Sequence, residues 1–418
     1  MKVVKPRGTR DFPPRQMYER NHVGQMIESL FVRYNYQEIL FPTLEHSQLF
    51  MIKSGEEIGE HMYVFKDKGG RDVCLRPEAT ASVCRMFVDS LQDLKKPIKV
   101  YYNCPMFRYE RPQKGRYREF WQMGVELLGS GGCEADFETI YLACKSMEAL
   151  GLEFTLEMGH IGVLRNLMAD MGLDERVQDK VIYYLDAGEE DKLVDLVGEQ
   201  TILDLVKLEG SDGILEKAGD VLEGYARAQK TIGELSDVVG LLDAQGVEYT
   251  INLGMGRGLE YYTGIVFEMR VEGLGAENQV CGGGRYDGLI ELFGGPPTPA
   301  VGFAFGFDRV LDAMKEQGVV FPEREVDVLV APVNRGVWAD AFEIVSGLRE
   351  DFVVEIDLLN RKLGRILDHG NDLGARFAVI VGPKDLSLGE VTLRDMSSGD
   401  QNTVRIKDLV EELSERLG

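Results

Sequence analysis

The stretch Pro105–Glu126 constrains the fold most, because two extended runs flank the turn-forming residues Pro112 and Gly115. Period-two alternation gives the second run a polar face and an apolar face. The first face carries Phe120, Gln122, Gly124 and Glu126, and the second carries Trp121, Met123 and Val125. Met106, Arg108 and Glu110 share a face of the first run. The pattern predicts a hairpin that presents Arg108, Glu110, Gln122 and Glu126 to one pocket.

The charge of this stretch is opposite to that of the chain as a whole. The stretch carries five cations, Arg108, Arg111, Lys114, Arg116 and Arg118, whereas the 418-residue chain has 47 Lys and Arg against 70 Asp and Glu, a net charge of −23. This balance argues against a non-specific polyanion binder but leaves room for RNA held by local basic patches. A solvated surface hairpin is the alternative interpretation, since most charge runs are solvated faces. The apolar second face favours the pocket.

The run Phe107–Arg118 resembles motif 2 of class II aminoacyl-tRNA synthetases, in the version of the histidyl group. One departure is Tyr109, where that group more often has His. Motif 3 has a similar counterpart in Ala300–Leu311, a strand leading into a helix with Arg309 near its start. The helix at about Arg15–Tyr34, and the apolar strand from Tyr36 that carries Pro42, resemble motif 1. In that family motif 1 builds a dimer interface, so a homodimer is implied.

The segment Val73–Ser82 runs from a predicted strand into a predicted helix. Glu78 and Thr80 near the helix start are consistent with simple helix capping. The segment also resembles the Leu-Arg-Pro-Glu-Gly-Thr run of the histidyl group, with Ala79 in place of Gly. The resemblance implies that Glu78 and Thr80 hold the α-amino group of the amino acid.

Two later runs resemble the signatures specific to the histidyl group. In the first, Arg257–Gly264, Glu260 replaces Asp. The second is Cys281–Gly288, a run that in isolation is more often a glycine loop that merely turns. The spacing Gly254-x-Gly256-x-Gly258 invites a dinucleotide-binding interpretation, but that fingerprint requires a helix to follow. Here alternation predicts a strand, so we reject that interpretation.

Length indicates two or three domains. The resemblance implies an α+β catalytic domain with a mainly antiparallel sheet over residues 1–160 and 246–322. It also implies a helical insertion at 161–245 and an anticodon-binding domain at 326–418. Strand and helix spacing predicts that this last unit is α/β with parallel strands and a terminal hairpin.

Six cysteines without a C-x-x-C pair read as thiols of a reducing compartment. The five histidines are scattered, so no protein-bound metal is expected. No secretion signal or membrane-spanning run is visible, which predicts a cytoplasmic protein without a membrane partner.

The resemblance implies ATP-dependent charging of tRNA with L-histidine through an adenylate. The chain lacks a Gly-x-x-x-x-Gly-Lys-Ser/Thr loop, so side chains must hold the nucleotide, and arginine forks suit phosphate oxygens. By the resemblance, Arg108 and Arg257 are catalytic, and ATP is bound by Arg108, Arg116, Phe120 and Arg309. Magnesium is expected with ATP, and no tightly bound cofactor is expected.

The histidine pocket implied by the resemblance comprises Glu78, Ala79, Thr80, Arg108, Gln122, Glu126, Arg257, Tyr261 and Tyr262. Neutral imidazole has one N–H donor and one acceptor nitrogen. Glu126 can accept from the ring, and Tyr262, or its neighbour Tyr261, can donate to it. Two rival functions remain: a catalytically inactive regulatory subunit of histidine biosynthesis, and a tRNA-sensing module. The retained arginines and the unit after residue 325 argue against the first, and the intact motifs against the second.

Overall fold

The computed structural model describes the whole chain except residues 1–2, 53–58, 60, 111–115, 187–188, 190–191, 194–195, 197–199, 212, 256–260, 276–277, 324 and 418. The chain forms two compact units, residues 1–320 and residues 321–418. Among the described residues, no helix is both long and apolar enough to span a bilayer. None of the six cysteines forms a disulfide, and five of them are buried.

The first unit is built on a nine-stranded sheet with the order β1-β5-β6-β12-β11-β10-β7-β9-β8. Its strands are β1 (Gln37–Glu38), β5 (Ile98–Phe107), β6 (Glu119–Leu128), β7 (Thr155–His160), β8 (Glu209–Gly210), β9 (Thr250–Asn252), β10 (Ile265–Arg270), β11 (Gln279–Arg285) and β12 (Ala300–Gly306). Among the strand pairs formed by the described residues of this sheet, β1 with β5 and β7 with β9 are the two that are parallel. The remaining pairs are antiparallel, which confirms the mainly antiparallel sheet.

The predicted hairpin is the pair β5–β6, the second and third strands in the order of this sheet. Its register places Met106 opposite Phe120 and Cys104 opposite Gln122. On the other face, Met123 and Val125 are fully buried, as the alternation predicted. The turn residues Pro112 and Gly115, with Arg111 and Lys114, lie outside the described residues.

A second, three-stranded sheet has the order β2 (Leu44–His46), β4 (Asp72–Leu75) and β3 (Val64–Lys66). The continuous strand expected from Tyr36 onward is instead split between β1 in the large sheet and β2 in this one. Pro42 lies in the gap, and a proline cannot donate a hydrogen bond to a strand ladder. The proline therefore marks the point where the chain leaves one sheet for the other.

The helices of the first unit cover the sheet and fill the insertion. They are α1 (Pro14–Arg33), α2 (Gln48–Met51), α3 (Thr80–Met86, continued by a π-helical turn at Phe87–Leu91), α4 (Cys133–Ala149), α5 (Ile161–Asp170), α6 (Glu175–Asp186), α7 (Gln200–Val206), α8 (Ile214–Val221), α9 (Ala226–Ala244), α10 (Leu289–Leu292) and α11 (Phe307–Glu316). The stretch 161–245 is mostly helical, as predicted. It also contributes β8, which pairs with β9 and extends the large sheet.

The second unit is a five-stranded mixed sheet with the order β14-β13-β15-β16-β17. Its elements are β13 (Val328–Pro332), α12 (Trp338–Leu348), β14 (Val354–Ile356), α13 (Leu363–Asp372), β15 (Phe377–Val381), α14 (Pro383–Leu386), β16 (Glu390–Asp395), β17 (Gln401–Arg405) and α15 (Leu409–Leu417). The first three strands in the sheet order are parallel, and β16 and β17 form the expected antiparallel hairpin. One core contains side chains of α12 and α15, and a second contains side chains of α13. The α/β prediction is confirmed.

Candidate active site

A cavity of 340 Å³ opens where five segments of the first unit converge. Its wall is built from β6, β11, β12 and the starts of α3 and α11, with Tyr261 and Tyr262 closing one side. Ten of the twelve side chains predicted for the site line this cavity: Glu78, Ala79, Thr80, Arg108, Arg116, Phe120, Gln122, Tyr261, Tyr262 and Arg309. Segments up to 231 residues apart in sequence therefore meet in one place.

Three guanidinium groups border the cavity, and two of them are placed by the end of a secondary-structure element. Arg108 follows the last residue of β5, and its Nε donates to the Pro77 carbonyl oxygen at 2.9 Å. Arg309 lies in the first turn of α11, and its Nη1 donates to the Gln279 carbonyl oxygen at 3.0 Å. Arg116 pairs with Glu110 at 3.5 Å. Together they make a cationic wall suited to a polyanionic tail.

Phe120 provides an apolar surface beside these cations. The Arg108 guanidinium carbon lies 5.4 Å from the centroid of its ring. Because every nucleobase has a π-face, a half-buried phenyl ring next to this cationic wall suits a nucleotide. Gln122, two residues further along β6, lies on the same face and also lines the cavity.

Glu78 both caps α3 and borders the cavity. Its two carboxylate oxygens accept from the backbone N–H groups of Thr80 at 2.6 Å and Ala81 at 3.0 Å. Burial raises the pKa of Glu78, while these N–H donors and the nearby Arg108 act in the opposite direction. The capping interpretation is therefore realised in the structure, and it places a carboxylate next to a prospective ammonium group.

Glu126 lies in the second layer of the wall, behind Thr80 and Tyr286. It is 1% exposed, accepts from the Thr80 hydroxyl at 2.9 Å, and accepts from the Tyr286 hydroxyl. Burial raises the pKa of Glu126 to about 8, and the two hydroxyl donors only partly offset that effect. A carboxylate has about four lone-pair positions, so two donors leave it able to accept another.

Three tyrosine rings form the side of the cavity that faces Glu126. The Tyr261 and Tyr262 centroids are 4.9 Å apart, and Tyr261 meets Tyr286 edge-on at 6.0 Å. Burial raises the pKa of Tyr261 and Tyr286 well above the usual value, so both phenols are neutral donors at physiological pH.

Sequence reasoning missed Tyr286 as a site residue, although it lies within the Cys281–Gly288 run. Gly282, Gly284 and Tyr286 alternate along β11, and this period-two pattern was the available signal. Arg285, on the opposite side, is a structural residue, because its guanidinium pairs with Asp136 at 2.8 Å and Asp287 at 3.0 Å.

Two predicted features have no structural description here. Arg257, predicted to be catalytic, lies outside the described residues, as does Glu260. Over the part of the chain that the structure does describe, no group of three or more His, Cys, Asp or Glu side chains is arranged to hold a metal ion.

Comparison with known proteins shows the family. A family model described as "Histidyl-tRNA synthetase" matches residues 8–310, which is more than half of the chain. The chain belongs to the histidyl-tRNA synthetase family. A second model, "Anticodon binding domain", matches residues 327–416, which lie within the second unit. The resemblance of the motifs is thereby confirmed over nearly the whole sequence.

Curated relatives and solved structures agree with this family membership. A histidine–tRNA ligase of Archaeoglobus fulgidus is 42% identical, with 98% of this chain and 99% of that protein covered. One of Thermococcus kodakarensis is 43% identical, with 100% and 99% covered. The apo histidyl-tRNA synthetase of S. aureus has a TM-score of 0.73 at 28% identity, covering 99% of this chain and all of that one.

A further structural neighbour bears on the rival function. A Bacillus halodurans protein titled as an ATP phosphoribosyltransferase regulatory subunit/histidyl-tRNA synthetase has a TM-score of 0.75 at 25% identity, covering 85% of this chain and 93% of its own. The full-length curated relatives of the family are histidine–tRNA ligases, so the regulatory alternative is not favoured.

Proposed function

We propose that this chain attaches L-histidine to its tRNA in two steps, using ATP and passing through histidyl-adenylate. As a member of its family, it is a class II histidine–tRNA ligase. One observation supports the assignment of its site: a single cavity is lined by Arg108, Arg116, Arg309 and three tyrosines, and one of these, Tyr286, donates to the buried Glu126. The regulatory alternative requires neither this set of arginines nor an anticodon-binding domain.

In the first step, a carboxylate oxygen of histidine attacks the α-phosphorus of ATP. A carboxyl–phosphate bond forms, the bond to the β-phosphate oxygen breaks, and pyrophosphate leaves. Both reactants are anions, so the site must supply positive charge. Arg108 would bind the α-phosphate and the carboxylate, while Arg116 and Arg309 bind the outer phosphates and Phe120 stacks on adenine. Preorganised groups of this kind are each worth about 3 kcal/mol. Magnesium would arrive bound to the ATP phosphates.

The amino-acid half of the site would recognise a neutral imidazole. Glu78, Thr80 and Gln122 surround the prospective α-amino position, with Ala79 leaving room beside it. Glu126 would accept the ring N–H, because two of its lone-pair positions remain unused by Thr80 and Tyr286. Tyr262, or Tyr261 next to it, would donate to the bare ring nitrogen. An amino acid without this pattern leaves buried polar groups unpaired, which costs roughly 10⁴-fold in selectivity.

In the second step, a ribose hydroxyl of the tRNA attacks the acyl carbon and AMP leaves. We place the anticodon at the carboxyl edge of the parallel strands β13, β14 and β15 in the second unit, since ligands of such sheets bind at this edge. Arg335 and Lys384 supply cations there. Leu358 and Leu359, which are separated from the end of β14 by Asp357, are 72% and 69% exposed. Two adjacent exposed leucines beside cations suit unstacked bases.

A homodimer is supported by apolar side chains left uncovered around the three-stranded sheet. Leu40, Leu44, Met51 and Phe65 are 73%, 52%, 55% and 45% exposed, respectively. Soluble monomers rarely leave so many large apolar groups uncovered in one region. Sedimentation equilibrium of the full chain tests this proposal, and a monomer at micromolar concentration contradicts it.

We place the protein in the cytoplasm, where tRNA charging occurs. Its cysteines form no disulfide and are mostly buried, which suits a reducing compartment.

The test of the whole proposal is charging of total tRNA with labelled histidine. The expected result is histidine incorporation that depends on ATP and saturates at the fraction of histidine acceptors. A chain that binds histidine but forms no histidyl-tRNA would fit the regulatory alternative instead.

Arg257 is tested separately, since its role rests on the motif alone. We expect Arg257→Ala to lower the rate of adenylate formation by about 10²-fold or more, because one charged group at the reacting phosphate is removed. Histidine should still bind measurably in equilibrium dialysis. Near-normal pyrophosphate exchange by this variant would remove Arg257 from the chemistry.

A further inference from the structure

We propose that the N-terminal loop, residues 6–13, is part of the ATP site, and that Arg10 is a positioning residue for the nucleotide. This inference rests on the proposed function, because it concerns where the ATP-binding side chains of that site are held. Arg10 itself contacts Tyr117 and Asp308, which line the cavity, and it acts through them.

The loop is joined to the segment that leads into β6 by its backbone. The Arg118 N–H donates to the Gly8 carbonyl oxygen at 2.9 Å. Gly8 has a φ of +86°, and a Cβ at this position would lie 2.7 Å from Cγ of Arg118. The loop can therefore approach this segment only because residue 8 is glycine. Arg116 and Phe120, two residues to either side of Arg118, are the proposed phosphate and adenine contacts.

Arg10 connects two walls of the cavity. Its guanidinium carbon lies 3.4 Å from the centroid of the Tyr117 ring, a close cation–π stack. Its Nη2 lies 2.8 Å from Oδ2 of Asp308, which is 4% exposed. Tyr117 immediately follows Arg116, and Asp308 immediately precedes Arg309. Arg10 thus contacts the residue next to Arg116 and the residue next to Arg309. These two arginines, both proposed to bind phosphate, are far apart in sequence.

Asp308 extends this connection to the start of β6 and to α1. Its Oδ1 accepts from Arg20 Nη1 at 2.5 Å, and its Oδ2 accepts from the Trp121 N–H at 2.9 Å. Phe12 meets Trp121 edge-on at 6.2 Å, and the Arg20 guanidinium lies 4.3 Å from the Phe12 ring centroid. The loop therefore contacts the β6 segment on both sides of Phe120, at Tyr117 and Arg118 and again at Trp121.

These contacts predict a specific kinetic effect. Without Arg10, Tyr117 loses its stacking partner and Asp308 loses one cation, while Arg20 still pairs with Asp308. The histidine half of the cavity, at Glu78, Thr80 and Glu126, has no direct contact with Arg10. Removing the Arg10 side chain should therefore weaken ATP binding and leave histidine binding nearly unchanged.

The experiment compares Arg10→Ala, Arg10→Lys, Tyr117→Leu and the Arg10→Ala/Tyr117→Leu double variant in the full chain. Pyrophosphate exchange gives KM for ATP, KM for histidine and kcat, and equilibrium dialysis with labelled ATP gives its Kd. For Arg10→Ala we expect KM and Kd for ATP to rise about 10-fold. KM for histidine and kcat should change by less than about 3-fold. Arg10→Lys should be intermediate, since lysine keeps the charge but not the planar stack.

The double variant decides whether Arg10 acts through Tyr117. We expect its ATP constants to match those of the worse single variant, because coupled neighbours are not additive. The matched control is Arg15→Ala, which removes an arginine whose side chain is 81% exposed. Unchanged ATP constants for Arg10→Ala, or fully additive effects in the double variant, would overturn the proposal. So would an equal rise in both KM values with a lowered Tm, which indicates a purely structural role.

The two proposals fail in different ways. A wild-type chain without histidine-dependent exchange would overturn the proposed function. The ratio of ATP Kd values between Arg10→Ala and wild type would still test the role of Arg10.

Discussion

At the scale of single residues, we propose that Glu126 contributes both to selectivity for histidine and to the pH dependence of stability. It is held in place by Thr80 and Tyr286, so its oxygens need no reorganisation before histidine arrives. Burial raises the pKa of this carboxyl to about 8, well above the usual value. Burying a carboxylate without a hydrogen-bond donor costs free energy. A ring N–H that donates to the Glu126 carboxylate would offset part of this cost.

Replacing Glu126 by Gln should weaken histidine binding without affecting the nucleotide. The amide places an NH2 donor where the Thr80 and Tyr286 hydroxyls and the ring N–H all need an acceptor, and a buried group left unpaired costs about 1–3 kcal/mol, so KM for histidine should rise about 5- to 150-fold. KM for ATP should stay within about 2-fold, since Glu126 lies away from the arginine wall. Pyrophosphate exchange measures both constants. The exposed Glu153→Gln is the control, and an unchanged KM for histidine in Glu126→Gln would exclude Glu126 from recognition.

The same substitution should change how stability depends on pH. The pKa of Glu126 is raised in the folded state, so the folded protein binds this proton more tightly than the unfolded chain does. Its contribution is fully present below the unfolded pKa of about 4.5 and is lost as pH rises toward about 8. Glu126→Gln removes this loss. In thermal unfolding, the Tm of the variant relative to the Tm of wild type should therefore increase from pH 5 to pH 8. A Tm difference that does not change with pH would contradict the raised pKa.

At the scale of secondary-structure elements, glycines in the central strands make room for the site. Gly302 in β12 pairs with Glu126 in β6, and a Cβ at residue 302 would lie 1.9 Å from Oε2 of Glu126 and 2.5 Å from the Val125 carbonyl oxygen. Gly124 is similarly confined, with the Phe303 carbonyl oxygen 2.4 Å from such a Cβ. The strands can hold a buried carboxylate only where the cross-strand neighbour has no side chain.

Gly302→Ala should displace Glu126 and strain the β6–β12 pair. Overpacking of this kind costs about 1–3 kcal/mol, and we expect a lower Tm together with an increase of about 10-fold in KM for histidine. Gly288→Ala is the matched control, because no heavy atom lies within 4 Å of a Cβ there. If both variants bind histidine equally well, the space beside Glu126 is not limiting.

Elements with strong local periodicity were predictable, and features created by distant pairings were not. The β5–β6 hairpin, α1, α11 and the α/β unit follow from alternation and helical spacing within short windows. The split of the strand after Tyr36, and the addition of β8 to the large sheet, depend on partners far away in sequence. Asp308 and Arg10 are 298 residues apart, and no local pattern connects them. The site residues came from motif resemblance, which is why Tyr286 and Asp308 were missed.

At the scale of the whole molecule, the chain forms two units with separate cores, and we propose a separate function for each. The first holds the candidate active-site cavity, and the second matches an anticodon-binding domain. A change confined to the proposed tRNA-binding edge of the second unit should leave adenylate formation intact. Exchange and charging therefore report on different units of one chain.

The double variant Leu358→Ser/Leu359→Ser should separate these activities. Covering a leucine side chain completely is worth about 1.5–3 kcal/mol, so we expect kcat/KM for tRNA charging to fall about 10-fold or more while pyrophosphate exchange stays normal. Val353→Ser, at the opposite end of the same strand and 45% exposed, is the control. Normal charging by the double variant would place the anticodon elsewhere on the unit.

We propose above all that segments distant in sequence form one cleft, where arginines bind the nucleotide next to a pocket for neutral imidazole. Its most direct test is ATP–pyrophosphate exchange by the wild-type chain with each of the twenty amino acids in turn. We expect kcat/KM for exchange with histidine to be at least about 10⁴-fold higher than with any other amino acid. Comparable or faster exchange with a different amino acid, or none with histidine, would contradict it.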